Sequence, residues 1–114
     1  MAIIISPHLD NLYYQKVIPL PPSLNGRALC VRLTAKDKSH SFYVLNLYLD
    51  AHKSTTRISQ LDKLVESLPA YTHFIVGGDF NFVEDKYEDS SSQSSHYDNS
   101  TGFVKAWSSF KDHF

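Results

Sequence analysis

The chain reads Phe74-Ile75-Val76-Gly77-Gly78-Asp79-Phe80-Asn81 at the point that decides its fold. An apolar run bounded by glycines predicts a buried strand from Phe74 to Gly78. On an extended backbone, residues i and i+2 project to the same face, so Asp79 and Asn81 are expected to point together into one cleft. Ligands of α/β sheets bind at the carboxyl ends of strands, which makes this strand end the candidate functional site.

Two upstream elements place this strand in a βαβ unit. Ser41 to Asp50 is a nearly continuous apolar run, which is typical of a strand covered on both faces. Thr55 to Leu68 is predicted to be a helix, capped by Ser54 or Thr55 and ended by Pro69. Its apolar stripe has helical spacing and consists of Ile58, Leu61, Val65 and Leu68. A strand, a helix and a strand in this order favour parallel pairing, and the predicted fold class is α/β.

The rest of the chain is expected to add strands and one more helix. The predicted strands are Ala2 to Ser6, Gln15 to Leu20 and Arg27 to Thr34. Glu84 to Gly102 is expected to be a polar loop, and Thr101 to Phe114 a helix whose apolar positions are Phe103, Val104, Trp107, Phe110 and Phe114.

Composition bounds the class of protein. The chain has 114 residues, enough for one domain, with 42% hydrophobic and 20% charged residues and a net charge of −1. No global field therefore attracts a polyanion, although a local basic groove would be sufficient. Cys30 is the only cysteine, which excludes an intrachain disulfide and a cysteine-based metal site and fits an intracellular protein. No apolar run reaches the length of a membrane span.

The side chains at the two predicted strand ends suit chemistry on a phosphoryl group. Asn46 and Tyr48 share a face by the i, i+2 rule, and neighbouring strands would bring Tyr48 close to Asp79 and Asn81. A carboxylate can orient or deprotonate a water, while a carboxamide and a phenol can hydrogen-bond oxygens on which charge develops. The plainer alternatives are a turn after the strand for Asp79 and Asn81, and a packed aromatic for Tyr48.

The motif Gly77-Gly78-Asp79-Phe80-Asn81 resembles the GDFN motif of the endonuclease/exonuclease/phosphatase superfamily. That superfamily includes exonuclease III-like and DNase I-like nucleases. Leu45-Asn46-Leu47-Tyr48 is similar to the strand of that family that ends in an active-site tyrosine. Ala2 to Pro7 and Gly26 to Leu29 resemble two earlier strands. The doubled glycine, and the tail from Asn81 through Asp89-Ser90-Ser91, look most like the LINE-type retrotransposon endonucleases, which accompany a reverse transcriptase.

The resemblance implies a role for each matching residue. Asp79 would position or activate the attacking water, Asn81 would bind the scissile phosphate, and Tyr48 would stabilise the pentacovalent phosphate. Arg57 and Asn46 would contact the substrate, and the plainer alternative for Arg57 is a solvated helix residue that pairs with a nearby acid. The complete domain would be a four-layer sandwich of two mixed sheets flanked by helices, and a hydrolase that nicks DNA with Mg²⁺ or Mn²⁺.

The sequence also departs from the family pattern. The asparagine and the principal metal-binding glutamate are expected before Ile3, and the closing Ser-Asp-His motif after Phe114. The expectation is therefore a central, partial domain, residues 1–114, within a longer polypeptide. The expected location is intracellular, with the nucleus as one candidate compartment. Two alternatives stay open: a catalytically dead remnant or binding fragment, and a phosphatase or phosphodiesterase of the same superfamily that acts on lipid or RNA.

Overall fold

The computed structural model describes residues 1–81 and 101–114, and within them the chain is α/β. The helices are Pro7–Leu12 (α1), Ser54–Ser67 (α2) and Thr101–His113 (α3), with a short 3-10 turn at Pro22–Leu24. The strands are Tyr13–Ile18 (β1), Ala28–Ala35 (β2), Ser41–Tyr48 (β3) and Phe74–Asp79 (β4). These described strands form one mixed sheet in the order β1-β2-β3-β4. Most of the predicted polar loop, residues 84–100, lies outside the described residues.

The predicted βαβ unit is confirmed. Strands β3 and β4 are parallel neighbours joined by α2, with a register that runs from Tyr43 opposite Phe74 to Tyr48 opposite Asp79. Strands β1, β2 and β3 are successive antiparallel neighbours. Both strand ends that carry the candidate site residues therefore lie at the same edge of the sheet.

Helices α2 and α3 cover one face of the sheet. The core beneath them contains Cys30, Leu45 and Leu47, each at most 1% exposed. Helix α2 contributes Leu61 and Leu64, and Ile58 and Val65 of the predicted stripe pack against the same cluster; helix α3 contributes Phe103 and Phe110. Full burial of an aliphatic or aromatic side chain stabilises a fold by about 1.5–3 kcal/mol, so each of these core residues contributes substantially to stability.

The predicted strand from Ala2 to Ser6 is wrong. Residues 1–6 form no helix or strand, and Ser6 instead caps helix α1 by accepting a hydrogen bond from the Leu9 amide at 3.4 Å. Pro7 sets the first turn of that helix, because its fixed φ and missing N–H suit a helix start. Ile4 remains 94% exposed, so its apolar side chain is not evidence of a strand.

The strand predicted from Gln15 to Leu20 exists but is shifted toward the amino end. It runs from Tyr13 to Ile18 and pairs with β2 along its whole length. The pairing begins earlier because Tyr13 packs edge-on against His40 and Phe42 at the far end of the neighbouring hairpin. The strand prediction for Arg27 to Thr34 agrees with β2 to within a residue at each end.

The predicted caps of α2, Ser54 and Thr55, are wrong. The N-cap position is Lys53, which makes no side-chain capping bond. Asp50 instead fixes the backbone just before the helix. Its Oδ2 accepts hydrogen bonds from the amides of His52 at 2.9 Å and Lys53 at 2.7 Å. These two amide donors hold the pKa of the Asp50 carboxyl below its ordinary value.

Asp50 is therefore expected to make stability depend on pH. Because its folded-state pKa is depressed, its contribution is full above the unfolded-state pKa and is lost as the pH falls through the folded-state value. Asp50→Ala should lower the free energy of unfolding by about 1 kcal/mol near neutral pH, and by much less in acid. Asp50→Asn keeps an acceptor and is the matched control, with a smaller loss near neutral pH. Urea unfolding between about pH 7 and about pH 3 measures the difference; a gap between wild type and Asp50→Ala that persists undiminished in acid would contradict it.

Candidate functional site

The candidate site is built on the carboxyl ends of β3 and β4. The register sets Tyr48 directly opposite Asp79, and because side chains alternate along a strand, both project from the face opposite the helices. Tyr48 is 44% exposed. The predicted approach of Tyr48 to Asp79 is thus confirmed as strand pairing, while their chemical roles stay predictions.

Asn81 reaches the site by a different route from the one expected. Strand β4 ends at Asp79, and Asn81 has a left-handed backbone with φ 55°, so the i, i+2 rule of an extended strand does not apply to it. The Asp79 Oδ1 accepts the Asn81 amide at 3.0 Å, and the Asn81 Nδ2 donates to the Leu49 carbonyl at 2.7 Å. Asn81 thereby fastens the end of β4 to the residue after Tyr48.

Asn46 lies on the same face as Tyr48, two residues before it. Its Nδ2 donates to the Ala2 carbonyl at 3.2 Å, so the amino-terminal segment passes over this face of the sheet. Asn46 is paired with Gly77, and nothing lies within 4 Å of where a Gly77 Cβ would be. The surface between Asn46 and the strand ends is therefore open.

Arg57 does not lie at the strand ends. It is fully buried in α2, where its Nη1 donates to the Asp50 carbonyl at 3.0 Å and its guanidinium lies 4.9 Å from the centre of the Phe103 ring. Its contacts join α2, the segment after β3, and α3. The side chain offers no surface to a substrate in this conformation, so the geometry favours a structural role over the predicted substrate contact.

Arg27 is a site residue that the sequence analysis did not single out. Its guanidinium carbon lies 5.0 Å from the centre of the Tyr48 ring, and its carbonyl accepts the Tyr48 amide at 2.8 Å. The β2–β3 register pairs Ala28 with Leu47, which puts Arg27 beside Tyr48. Counting back from the hairpin turn would have found this neighbour. Arg27 supplies the site with a cation.

The described residues were compared with the side-chain clusters that usually bind a metal ion. Within residues 1–81 and 101–114, no three histidine, cysteine, aspartate or glutamate side chains come together as a metal-binding group. Of the candidate residues, Asp79 supplies a carboxylate, whereas Mg²⁺ is bound by several oxygen ligands. No helix in these ranges is long and apolar enough to cross a membrane.

The arrangement combines side chains of the kinds that catalyse hydrolysis of a phosphate ester. The Asp79 carboxylate can accept a proton or orient a water, the Tyr48 hydroxyl can donate to an oxygen, and Arg27 can balance negative charge. The Asn81 amide fixes one oxygen of Asp79 and leaves the other oxygen's lone pairs available. In comparisons with known proteins, no family model and no curated protein matches this chain.

Proposed function

We propose that this chain forms one wall of a phosphodiester-hydrolysing site, in an endonuclease domain that nicks DNA. The observation that carries the proposal is the parallel register of β3 and β4, which sets Tyr48 opposite Asp79 with Arg27 against the Tyr48 ring. The order of the tyrosine strand, the helix and the Gly-Asp-Phe-Asn strand end supports it through the resemblance to the endonuclease/exonuclease/phosphatase superfamily. Mg²⁺ dependence of the complete domain is part of the proposal.

The proposed reaction assigns each residue one step. Asp79 orients a water toward phosphorus and takes its proton as the new P–O bond forms, and Tyr48 donates a hydrogen bond to a non-bridging oxygen as charge grows there. The ester bond from phosphorus to the leaving oxygen breaks in the same displacement, and the leaving alcohol takes a proton from solvent. Arg27, which lies beside Tyr48, neutralises part of that negative charge. Asn81 acts by holding Asp79 and the end of β4 in place, because its amide and its carboxamide are both engaged.

The proposed fold is a DNase I-like sandwich in which a second sheet covers the face opposite the helices. Along one row of that face, the strand registers align Val17, Val31, Val44 and Ile75 across all four described strands. Val17 is 63% and Ile75 60% exposed at the two ends of this row. An apolar row of this kind is what a second packed layer requires, because stacked sheets interlock through such side chains.

Nicking of supercoiled plasmid tests the proposal. The product of the complete reading frame that contains these residues is expected to relax plasmid in Mg²⁺ and not in EDTA. Asp79→Asn should slow nicking by about 100-fold or more, because an amide cannot take the proton from water. Asp37→Asn is the matched control: its Oδ1 accepts the Ser39 amide at 2.9 Å in the same local pattern, but it lies at the opposite end of the sheet.

Two results would overturn the proposal in different ways. Equal nicking rates for the wild type and Asp79→Asn would remove the assigned role of Asp79. Absence of Mg²⁺-dependent nicking by the wild type would reject the DNA substrate, and turnover of inositol phosphates, sphingomyelin or poly(A) by the same preparation would then identify another branch of the superfamily.

A non-catalytic binding fragment or dead remnant is the second candidate. The observation in its favour is that Asp79 and Asn81 both make hydrogen bonds that a strand-end turn needs in any protein. This candidate predicts that the wild type and Asp79→Asn bind DNA alike and that neither cleaves it. Mg²⁺-dependent nicking by the wild type rejects it.

A further inference from the structure

A pair of like charges lies on the helix-bearing face of the sheet, beyond the area that the helices cover. Lys16 in β1 is the direct cross-strand partner of Arg32 in β2. Directly opposed residues have Cβ atoms about 4.5–5.5 Å apart, and like charges in that arrangement repel each other.

Within residues 1–81 and 101–114, Arg32 has no acidic partner that would offset this repulsion. Among the described residues its side chain makes no hydrogen bond, ion pair or ring contact, and its Nε is buried without a hydrogen-bond partner. The ion pair found in the described ranges is elsewhere, between Lys63 and Glu66 on α2. A half-buried guanidinium normally has an oxygen acceptor, so the Arg32 Nε is a donor that is available to an anion.

Two further side chains extend the pair into a strip. Tyr14 precedes Lys16 by two residues on the same face and is 58% exposed, and the Lys36 Nζ lies 5.6 Å from the centre of the Tyr14 ring. At about 3.4 Å per residue, Arg32 and Lys36 are separated by roughly 14 Å. Tyr14, Lys16, Arg32 and Lys36 are called the basic strip. The nearest acid in sequence is Asp37, which is held in the hairpin turn by its bond with Ser39.

We propose that the basic strip binds the phosphate backbone of a single-stranded nucleic acid. Successive cations at strand spacing match a repeated anion better than a single one, and a guanidinium can bind a phosphate with two parallel hydrogen bonds. The exposed face of Tyr14 can stack on a base whatever its identity. The basic strip lies on the opposite face of the sheet from Tyr48 and Asp79. A nucleic acid bound there would not occupy the proposed hydrolytic site, so the two sites are distinct.

Fluorescence anisotropy with a labelled oligothymidylate of about ten nucleotides tests the proposal. Lys16→Gln with Arg32→Gln is expected to weaken binding about tenfold in low salt and to reduce the slope of log K against log salt by about 1.4, between about 50 and 200 mM NaCl. Lys53→Gln with Lys63→Gln removes the same charge at the start and outer face of α2 and is the matched control, with no change in slope beyond error.

Three outcomes decide the matter. Chemical-shift changes in ¹⁵N-labelled protein that map to β1 and β2, with loss of binding in the strip variant alone, support the proposal. Equal losses of affinity in the two double variants would show that binding depends on overall charge and not on the basic strip, and would overturn the proposal. Competition by oligoglutamate as strong as that by unlabelled DNA would assign the strip to an acidic peptide, which also overturns it. The strip variant should melt at or above the wild-type temperature, because it removes a repulsion, and this separates lost binding from lost folding.

Discussion

Replacement of Gly78 by alanine is expected to lower the free energy of unfolding by more than about 4 kcal/mol. Gly78 has φ +128°, a backbone conformation that side chains other than glycine rarely adopt. A Cβ at this position would overlap the Leu47 carbonyl oxygen and lie 2.8 Å from the Leu47 amide nitrogen. These are backbone atoms of the paired strand, so they cannot rotate away, and β3 and β4 would have to separate.

Gly77→Ala is the matched control for this prediction. The two glycines are adjacent, yet nothing lies within 4 Å of a Cβ at Gly77, and its φ is not positive. Gly77→Ala should change the free energy of unfolding by no more than about 1 kcal/mol, because it mainly restricts the unfolded chain. Urea unfolding followed by circular dichroism measures both variants. Similar unfolding midpoints for the two would show that the close approach of β4 to β3 is not as described.

Replacement of Arg57 by alanine is expected to cost about 3–5 kcal/mol of stability. The side chain is fully buried, donates to the Asp50 carbonyl at 3.0 Å and lies over the Phe103 ring. Alanine would leave a cavity between α2 and α3, remove the contact with the ring, and leave the Asp50 carbonyl without this donor. The damage should therefore appear as unfolding and not as a selective loss of ligand binding.

Two further variants make the Arg57 prediction specific. Arg57→Lys should lose less stability than Arg57→Ala, because it keeps the charge and much of the volume but lacks the planar guanidinium. Lys63→Ala, which removes an exposed cation from the same helix, should stay within about 0.5 kcal/mol of the wild type. Weaker DNA binding in Arg57→Lys at unchanged stability would restore Arg57 to the substrate-contact role that the sequence analysis expected.

The strongest sequence signals gave the βαβ unit. Ser41 to Asp50, Thr55 to Leu68 and Phe74 to Gly78 have lengths and apolar patterns that belong to one element type each, and all three elements are present. The weak signal was Ala2 to Ser6, where three isoleucines suggested a strand. A short apolar run has no fixed structure until a partner strand is present, and Pro7 directs the chain into a helix instead.

The sequence identified several residues of the candidate site correctly, but it did not predict how all of them are arranged. Alternation and chain order place Tyr48 and Asp79 at one sheet edge, as the register confirms. The left-handed turn at Asn81 could not be read from the sequence, because asparagine is compatible with both strand and turn. Arg57 could not be assigned either, since an arginine on an amphipathic helix is usually solvated and only packing against Phe103 buries it.

The sequence by itself determined that the chain has a strand, a helix and a parallel strand that leads into Gly-Asp-Phe-Asn. Apolar periodicity and the position of glycines are properties of short segments, so they can be recognised without the tertiary structure. The tertiary structure decided what each polar side chain does. It buried Arg57, placed Arg27 against Tyr48, and set Lys16 opposite Arg32. These outcomes depend on strand register and helix packing between residues far apart in the chain, which no local pattern encodes.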